Sequence, residues 1–175
     1  MKNEKKKLPI GIENFEEIQS AGFYYIDKSY LIKELLENWA KVTLFTRPRR
    51  FGKSITADML TAYYSCSCDS EELFEGLEIS RKSDFKKHLN KYDVIHLDVQ
   101  WCMMDAGSPE TTVAYMNEHL ISELQEIYPD IVPDNDEKVY GALSRINAAT
   151  GKKFVVIIDE WDVLIRDEAD NIAVQ

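Results

Sequence analysis

At 175 residues, with 45% hydrophobic and 30% charged side chains, the chain is long enough for a packed core and too apolar to stay unfolded. A net charge of −10 excludes a whole-molecule field that attracts nucleic acid or anionic membrane. Any anion site must therefore be local, and no apolar run approaches the roughly 20 residues that a bilayer-spanning helix needs.

The basic start, Met1-Lys2-Asn3-Glu4-Lys5-Lys6-Lys7, has no long apolar stretch after it and reads as a solvated tail rather than a secretory signal. Residues 8–26 mix Gly, Pro and aromatics and read as an irregular lead-in. Asp27-Lys28-Ser29 can cap a helix, and Leu31, Ile32, Leu35, Leu36 and Trp39 recur at helical spacing, which predicts a helix over 29–39. Residues 42–45 (Val-Thr-Leu-Phe) are β-rich and apolar and predict a buried strand. A basic turn over 47–52 follows. From Lys53 to about Tyr64 the pattern is helical, with Ile55, Met59, Leu60 and Tyr63 on one side. Short helices are expected at 71–74 and 84–89.

Residues 94–99 predict a second strand. Ser108 followed by Pro109 marks a helix start, and that helix runs to about Tyr128, broken by Pro129 and Pro133. Another helix spans 138–149 and is stopped by Gly151. Residues 154–158 (Phe-Val-Val-Ile-Ile) are apolar throughout and predict a strand buried on both faces. Strands separated by helices imply an α/β fold with a mostly parallel sheet and helices on both faces. The expected organisation is a lead-in and helix over 1–41 and a core over 42–175.

Two segments carry chemistry. Thr46-Arg47-Pro48-Arg49-Arg50-Phe51-Gly52-Lys53-Ser54 lies between a predicted strand and a predicted helix. Backbone N–H groups of such a turn point at an anion, and the helix dipole adds positive potential there. Gly52, Lys53 and Ser54 match the end of the G-x-x-x-x-G-K-[ST] pattern, with Arg47 in place of its first Gly. Lys53 would reach the β- and γ-phosphates, Ser54 would bind Mg²⁺, and Arg49, Arg50, Phe51 and Gly52 would line the nucleotide. The rival reading is a basic surface turn that caps a helix.

The second segment ends the strand over 154–158 in Asp159-Glu160. Ligands of parallel sheets bind at C-terminal strand ends, so Asp159 would hold Mg²⁺ and Glu160 would act as general base on the attacking water. A strand that ends in solvated acids is the rival. Asp162 reads as a helix cap. Asp98 ends the 94–99 strand and faces either the site or solvent. Trp101 and Trp161 read as packing residues, and His88, His96 and His119 show no partner pattern. Cys66, Cys68 and Cys102 are an odd set without further ligands at zinc spacing, which suggests reduced thiols in the cytoplasm.

The runs Leu8-Pro9-Ile10-Gly11, Tyr25-Ile26-Asp27-Lys28-Ser29, Phe45 through Ser54, Glu72-Leu73-Phe74-Glu75-Gly76-Leu77 and Ile158-Asp159-Glu160 resemble the AAA-ATPase-like family of bacterial predicted ATPases. The resemblance covers nearly the whole chain, and Arg-Pro-Arg-Arg-Phe-Gly-Lys-Ser is its specific part. In that family Arg at the Arg47 position is the usual form. The resemblance implies a P-loop NTPase core that takes ATP and Mg²⁺, with Lys53 and Glu160 catalytic and Ser54 and Asp159 on the metal. It also implies a C-terminal nuclease-like domain of the PD-(D/E)xK type in relatives, which this sequence lacks. The sequence stops soon after Asp159-Glu160, so the strand that lies between the loop strand and the acidic strand in this NTPase class is not encoded. That gap predicts an altered strand arrangement, pairing between two chains, or limited stability, and weak or absent hydrolysis. Two other functions remain open: a non-catalytic nucleotide-sensing or partner-docking module, and a nucleic-acid-associated protein, which the acidic composition disfavours. A homo-oligomer is a possible assembly.

Overall fold

The computed structural model describes residues 6–38, 40–46, 51–133 and 138–169. The chain divides into two compact units, Met1–Val94 and Ile95–Gln175.

The first unit holds α1 (Phe15–Ser20), α2 (Tyr30–Asn38), α3 (Lys53–Tyr64) and α4 (Phe85–His88), with 3-10 turns at Glu71–Phe74 and Glu78–Arg81. α1 corrects the expectation of an irregular lead-in. It forms because the Asn14 carboxamide oxygen accepts the Glu17 N–H at 2.8 Å, a side-chain cap on a donor the helix cannot satisfy itself. α3 has the bounds the periodicity predicts, and its Ala57, Met59, Leu60, Tyr63 and Tyr64 are buried. The core is largely aromatic. The Phe74 ring lies 5.3 Å from Phe15, 5.7 Å from Tyr63 and 5.9 Å from Phe85, centroid to centroid, within the range where tilted and edge-on pairs attract beyond their burial. Tyr63 is fully buried and donates its hydroxyl to the Phe85 carbonyl at 2.7 Å. A buried phenol needs such an acceptor.

The strand expected over 42–45 does not form. Val42 and Leu44 are 87% and 63% exposed, and the segment is irregular. β-propensity describes a fit to a paired, half-buried surface, and among the described residues this segment has no ladder partner.

The second unit takes up most of β1 (Asp93–Asp98) and continues through α5 (Val99–Ala106), α6 (Pro109–Ile127), α7 (Val139–Thr150), β2 (Phe154–Asp159) and α8 (Val163–Ala169). β1 and β2 pair in a small parallel sheet, so the architecture is mixed α/β. α6 starts at Pro109 and α7 stops at Gly151, whose left-handed φ of 71° ends the helix where its N–H meets the Asn147 carbonyl. Ile121 and Leu124 of α6, Ala142 and Ile146 of α7, and Val132 form a buried cluster against which Phe154 packs. α5 was not expected. Asp98 caps it by accepting the Trp101 N–H at 3.0 Å, and Gly107 closes it in a left-handed conformation. Asp98 thus serves as a cap.

Two expectations are corrected here. β2 is not buried on both faces, because Val156 and Ile158, on one face of its pleat, are 49% and 51% exposed. Trp101 and Trp161 are not packed inside either, at 64% and 48% exposed.

Candidate nucleotide-binding loop and acidic strand end

Gly52 is the residue before α3 and has φ 69° and ψ 45°, a left-handed conformation that side chains with a Cβ resist. From that corner the chain enters the helix with Lys53 and Ser54 as its first two residues. The first N–H groups of a helix have no partner within it. Gly52 has no side chain to cap them, and the first turn of α3 carries no acidic residue. The junction is pinned from within: the Gly52 carbonyl accepts both the backbone N–H of Thr56 at 3.2 Å and its hydroxyl at 2.7 Å. Phe51 is exposed, and its carbonyl accepts a 2.6 Å hydrogen bond from the Lys28 ammonium. A Cβ built on Gly52 would stand 2.8 Å from the same Lys28 nitrogen. Arg47, Arg49 and Arg50 lie outside the described residues.

From the sequence, the segment around Tyr25–Lys28 is a candidate lining of the adenine, with packing the better role for Tyr25 and Ile26, and Asp27-Lys28-Ser29 a helix cap; a bond from Lys28 to the loop is not among those expectations. A lysine between two polar anchors in a run of family resemblance was the available signal. Tyr25 sits nearby in packing: its ring meets Phe15 edge-on at 5.4 Å and its hydroxyl donates to the Met59 sulfur at 3.3 Å. Burial raises the Tyr25 phenol to about 12.

In the second unit, Asp159 closes β2 and is buried, and its Oδ1 accepts the Glu160 N–H at 2.9 Å. Glu160 follows at φ 51°, a strained conformation for a residue with a Cβ. Its Oε2 receives the Arg166 Nη2 at 2.9 Å, and Arg166 Nε lies 3.2 Å from Asp162 Oδ2. Asp162 therefore pairs with α8 through its side chain. Gly52, Lys53 and Ser54 are thus assembled with Lys28 in one unit, and Asp159, Glu160, Asp162 and Arg166 in the other.

Among the described residues no three His, Cys, Asp or Glu side chains stand close enough to hold a metal by themselves. Cys66 and Cys68 are exposed thiols, and the Cys66 thiol donates to Asp93. His88 is hydrogen-bonded to the Tyr92 hydroxyl and stacked on its ring, with its pKa lowered first by burial and then by Lys87. No helix of the described residues is long and apolar enough to cross a membrane.

α3 thus begins behind a left-handed glycine that offers no side-chain cap, in a mixed α/β chain. The chain belongs to the predicted AAA-ATPase family, which it matches over residues 9–174. It is 32% identical over 166 residues to an uncharacterized protein in the vnfD 5′ region of Azotobacter chroococcum mcd 1. That alignment covers 93% of this chain and 30% of the relative, so the chain spans under a third of that protein's length. No solved structure matches the chain.

Proposed function

We propose that the chain is an ATP- and Mg²⁺-binding module of an AAA-like ATPase with a P-loop NTPase core. The observation that carries this reading is the start of α3, where a left-handed Gly52, which brings no side-chain cap, leads into Lys53 and Ser54 in a first turn that holds no acidic residue. In this reading Lys53 contacts the β- and γ-phosphates, and the backbone N–H groups of the turn cradle them. In this reading Ser54 and Asp159 would each offer Mg²⁺ the kind of oxygen ligand it prefers. One oxygen of Asp159 accepts the next peptide N–H, which leaves the other for a cation in this reading. Bound Mg²⁺ would neutralise charge that develops on the phosphates. Glu160 is the proposed base for the attacking water.

Titration of Mg-ATP into the chain and into Lys53→Ala tests the reading by calorimetry. Saturable heat that disappears in the variant supports it. A cooperatively melting chain that takes up no nucleotide sinks it.

The pairing of Glu160 with Arg166 favours a second reading, a nucleotide sensor that turns over little. A carboxylate oxygen already held by a charge-assisted hydrogen bond is less available to orient a water. Phosphate release measured at protein in excess of ATP separates the two: a single turnover within minutes favours the ATPase, and tightly held, intact ATP favours the sensor.

A further inference from the structure

We propose that Lys28 is a positioning residue of the nucleotide-binding turn: by holding the Phe51 carbonyl, it turns the Gly52 N–H toward the bound phosphate. This inference rests on the reading of α3 as a nucleotide-binding helix.

The neighbours of Lys28 are fastened on both sides. Asp27 accepts the Ser29 N–H at 2.8 Å through Oδ1 and the Glu78 N–H at 2.7 Å through Oδ2. Ser29 is fully buried, and its hydroxyl oxygen accepts the Ile79 N–H at 3.1 Å. Both anchors grip the 3-10 turn Glu78–Arg81. The Lys28 carbonyl accepts the Leu31 N–H at 3.0 Å as α2 begins. The Lys28 backbone is therefore fixed, and its half-buried side chain is delivered in one direction.

That direction ends at the loop. The ammonium donates to the Phe51 carbonyl at 2.6 Å, a short charge-assisted bond. No cis peptide occurs among the described residues, so the Phe51–Gly52 unit is trans. In a trans peptide the C=O and the following N–H point in opposite directions. A cation that fixes the Phe51 oxygen on one side thereby fixes the Gly52 N–H on the other. An anion site needs its N–H groups inward and its carbonyls outward, and this one bond sets both. The φ of Gly52 is what calls for glycine; a Cβ there would also stand 2.8 Å from the Lys28 nitrogen, the mobile end of a long side chain.

Electrostatics points the same way. Lys28 and Lys53 both place charge at the positive end of the α3 dipole, whose first turn holds no acid. A phosphate bound there would be attracted by the dipole and by both lysines.

Calorimetry with Mg-ATP on the whole chain tests the proposal with wild type, Lys53→Ala, Lys28→Met and Lys28→Arg, each with a thermal melt. Lys28→Met keeps the stem and removes the donor. A hydrogen bond from a charged donor is worth enough to weaken Mg-ATP about tenfold when lost. The expected result is a raised Kd at unchanged stoichiometry for Lys28→Met, and recovery of most of the affinity in Lys28→Arg. A role in folding alone gives a different record: stoichiometry falls with the unfolded fraction while Kd stays at the wild-type value, and this overturns the proposal. Wild-type affinity in Lys28→Met also overturns it, while the loss in Lys53→Ala leaves the nucleotide reading standing. No binding by folded wild type removes both.

Discussion

Asn90 closes the far end of the helix that starts at Lys53, and replacing it tests how that helix is held. Asn90 has φ 53°, and its carboxamide nitrogen donates to the Ala62 carbonyl at 3.1 Å and the Ser65 carbonyl at 2.8 Å. Its oxygen accepts the Ser70 N–H at 3.2 Å. The Ala62 carbonyl keeps a second donor, the Ser70 hydroxyl at 2.6 Å. Asn90→Ala therefore leaves the Ser70 N–H without this acceptor and the Ser65 carbonyl with only the weak Cys68 thiol donor at 3.7 Å, at about 1 kcal/mol each. It also forces an ordinary Cβ residue into the left-handed region, which costs about 1 kcal/mol more. The sum is a loss of about 3 kcal/mol for Ala. Asn90→Gly loses the same bonds without the backbone penalty and falls by about 2 kcal/mol. The order Gly above Ala reverses the usual preference for Ala over Gly. Urea unfolding followed by circular dichroism gives both values from the midpoints at a common slope. Ala equal to or above Gly would refute the backbone argument. Both variants within about 0.5 kcal/mol of wild type would refute the capping argument.

Three other outcomes are expected. Glu160→Gly should be more stable than Glu160→Ala by about 1 kcal/mol, because only glycine relieves the φ of 51°, while both lose the pair to Arg166; parallel urea curves check the order, and Ala above Gly contradicts it. Arg166→Ala should speed single-turnover phosphate release several-fold if Glu160 is the base, by freeing its Oε2, and unchanged or slower release in a folded variant counts against that role. Stability should fall as pH rises from about 10 to about 12, since burial raises Tyr25 and Tyr64 to about 12 and also pushes Tyr63 up, so the folded chain keeps protons that the unfolded chain loses. That contribution is fully present below pH 10. Tyr64→Phe should flatten the decline in urea midpoint over this window, and a midpoint that rises with pH there would invert the sign.

What the sequence exposes and what it hides divides along the range of the interaction. α3 is legible because each signal for it is local: Gly52 turns, Lys53 starts, and Met59, Leu60 and Tyr63 repeat at one helical spacing. The start of α6 at Pro109 and the stop of α7 at Gly151 are local in the same way. Residues 42–45 carry an equally clear local signal and still form no strand, because a strand is made by its neighbour and composition does not say whether one is there. α5 was missed for the opposite reason. Its cap, Asp98, was read as a strand end, and the helix follows that strand without an intervening turn.

The site divides along the same line. Lys53, Ser54, Asp159 and Glu160 are named by motif, because their chemistry sits at fixed offsets from a turn or a strand end. The strain at Glu160 and its pairing with Arg166 have no sequence signature, since a left-handed glutamate is imposed by the chain that follows it. Lys28 shows most clearly why. Its nitrogen bonds a carbonyl 23 residues later, and only because its neighbours bond amides 51 and 50 residues later. No window of helix or strand length contains both partners. The runs Tyr25 through Ser29 and Glu72 through Leu77 look unrelated along the sequence. In the fold, Phe74 packs against Phe15, while the Glu78 and Ile79 N–H groups donate to Asp27 and Ser29. The 3-10 turn Glu78–Arg81, which follows the second run, thus supplies the amides that anchor the run from which Lys28 reaches the loop.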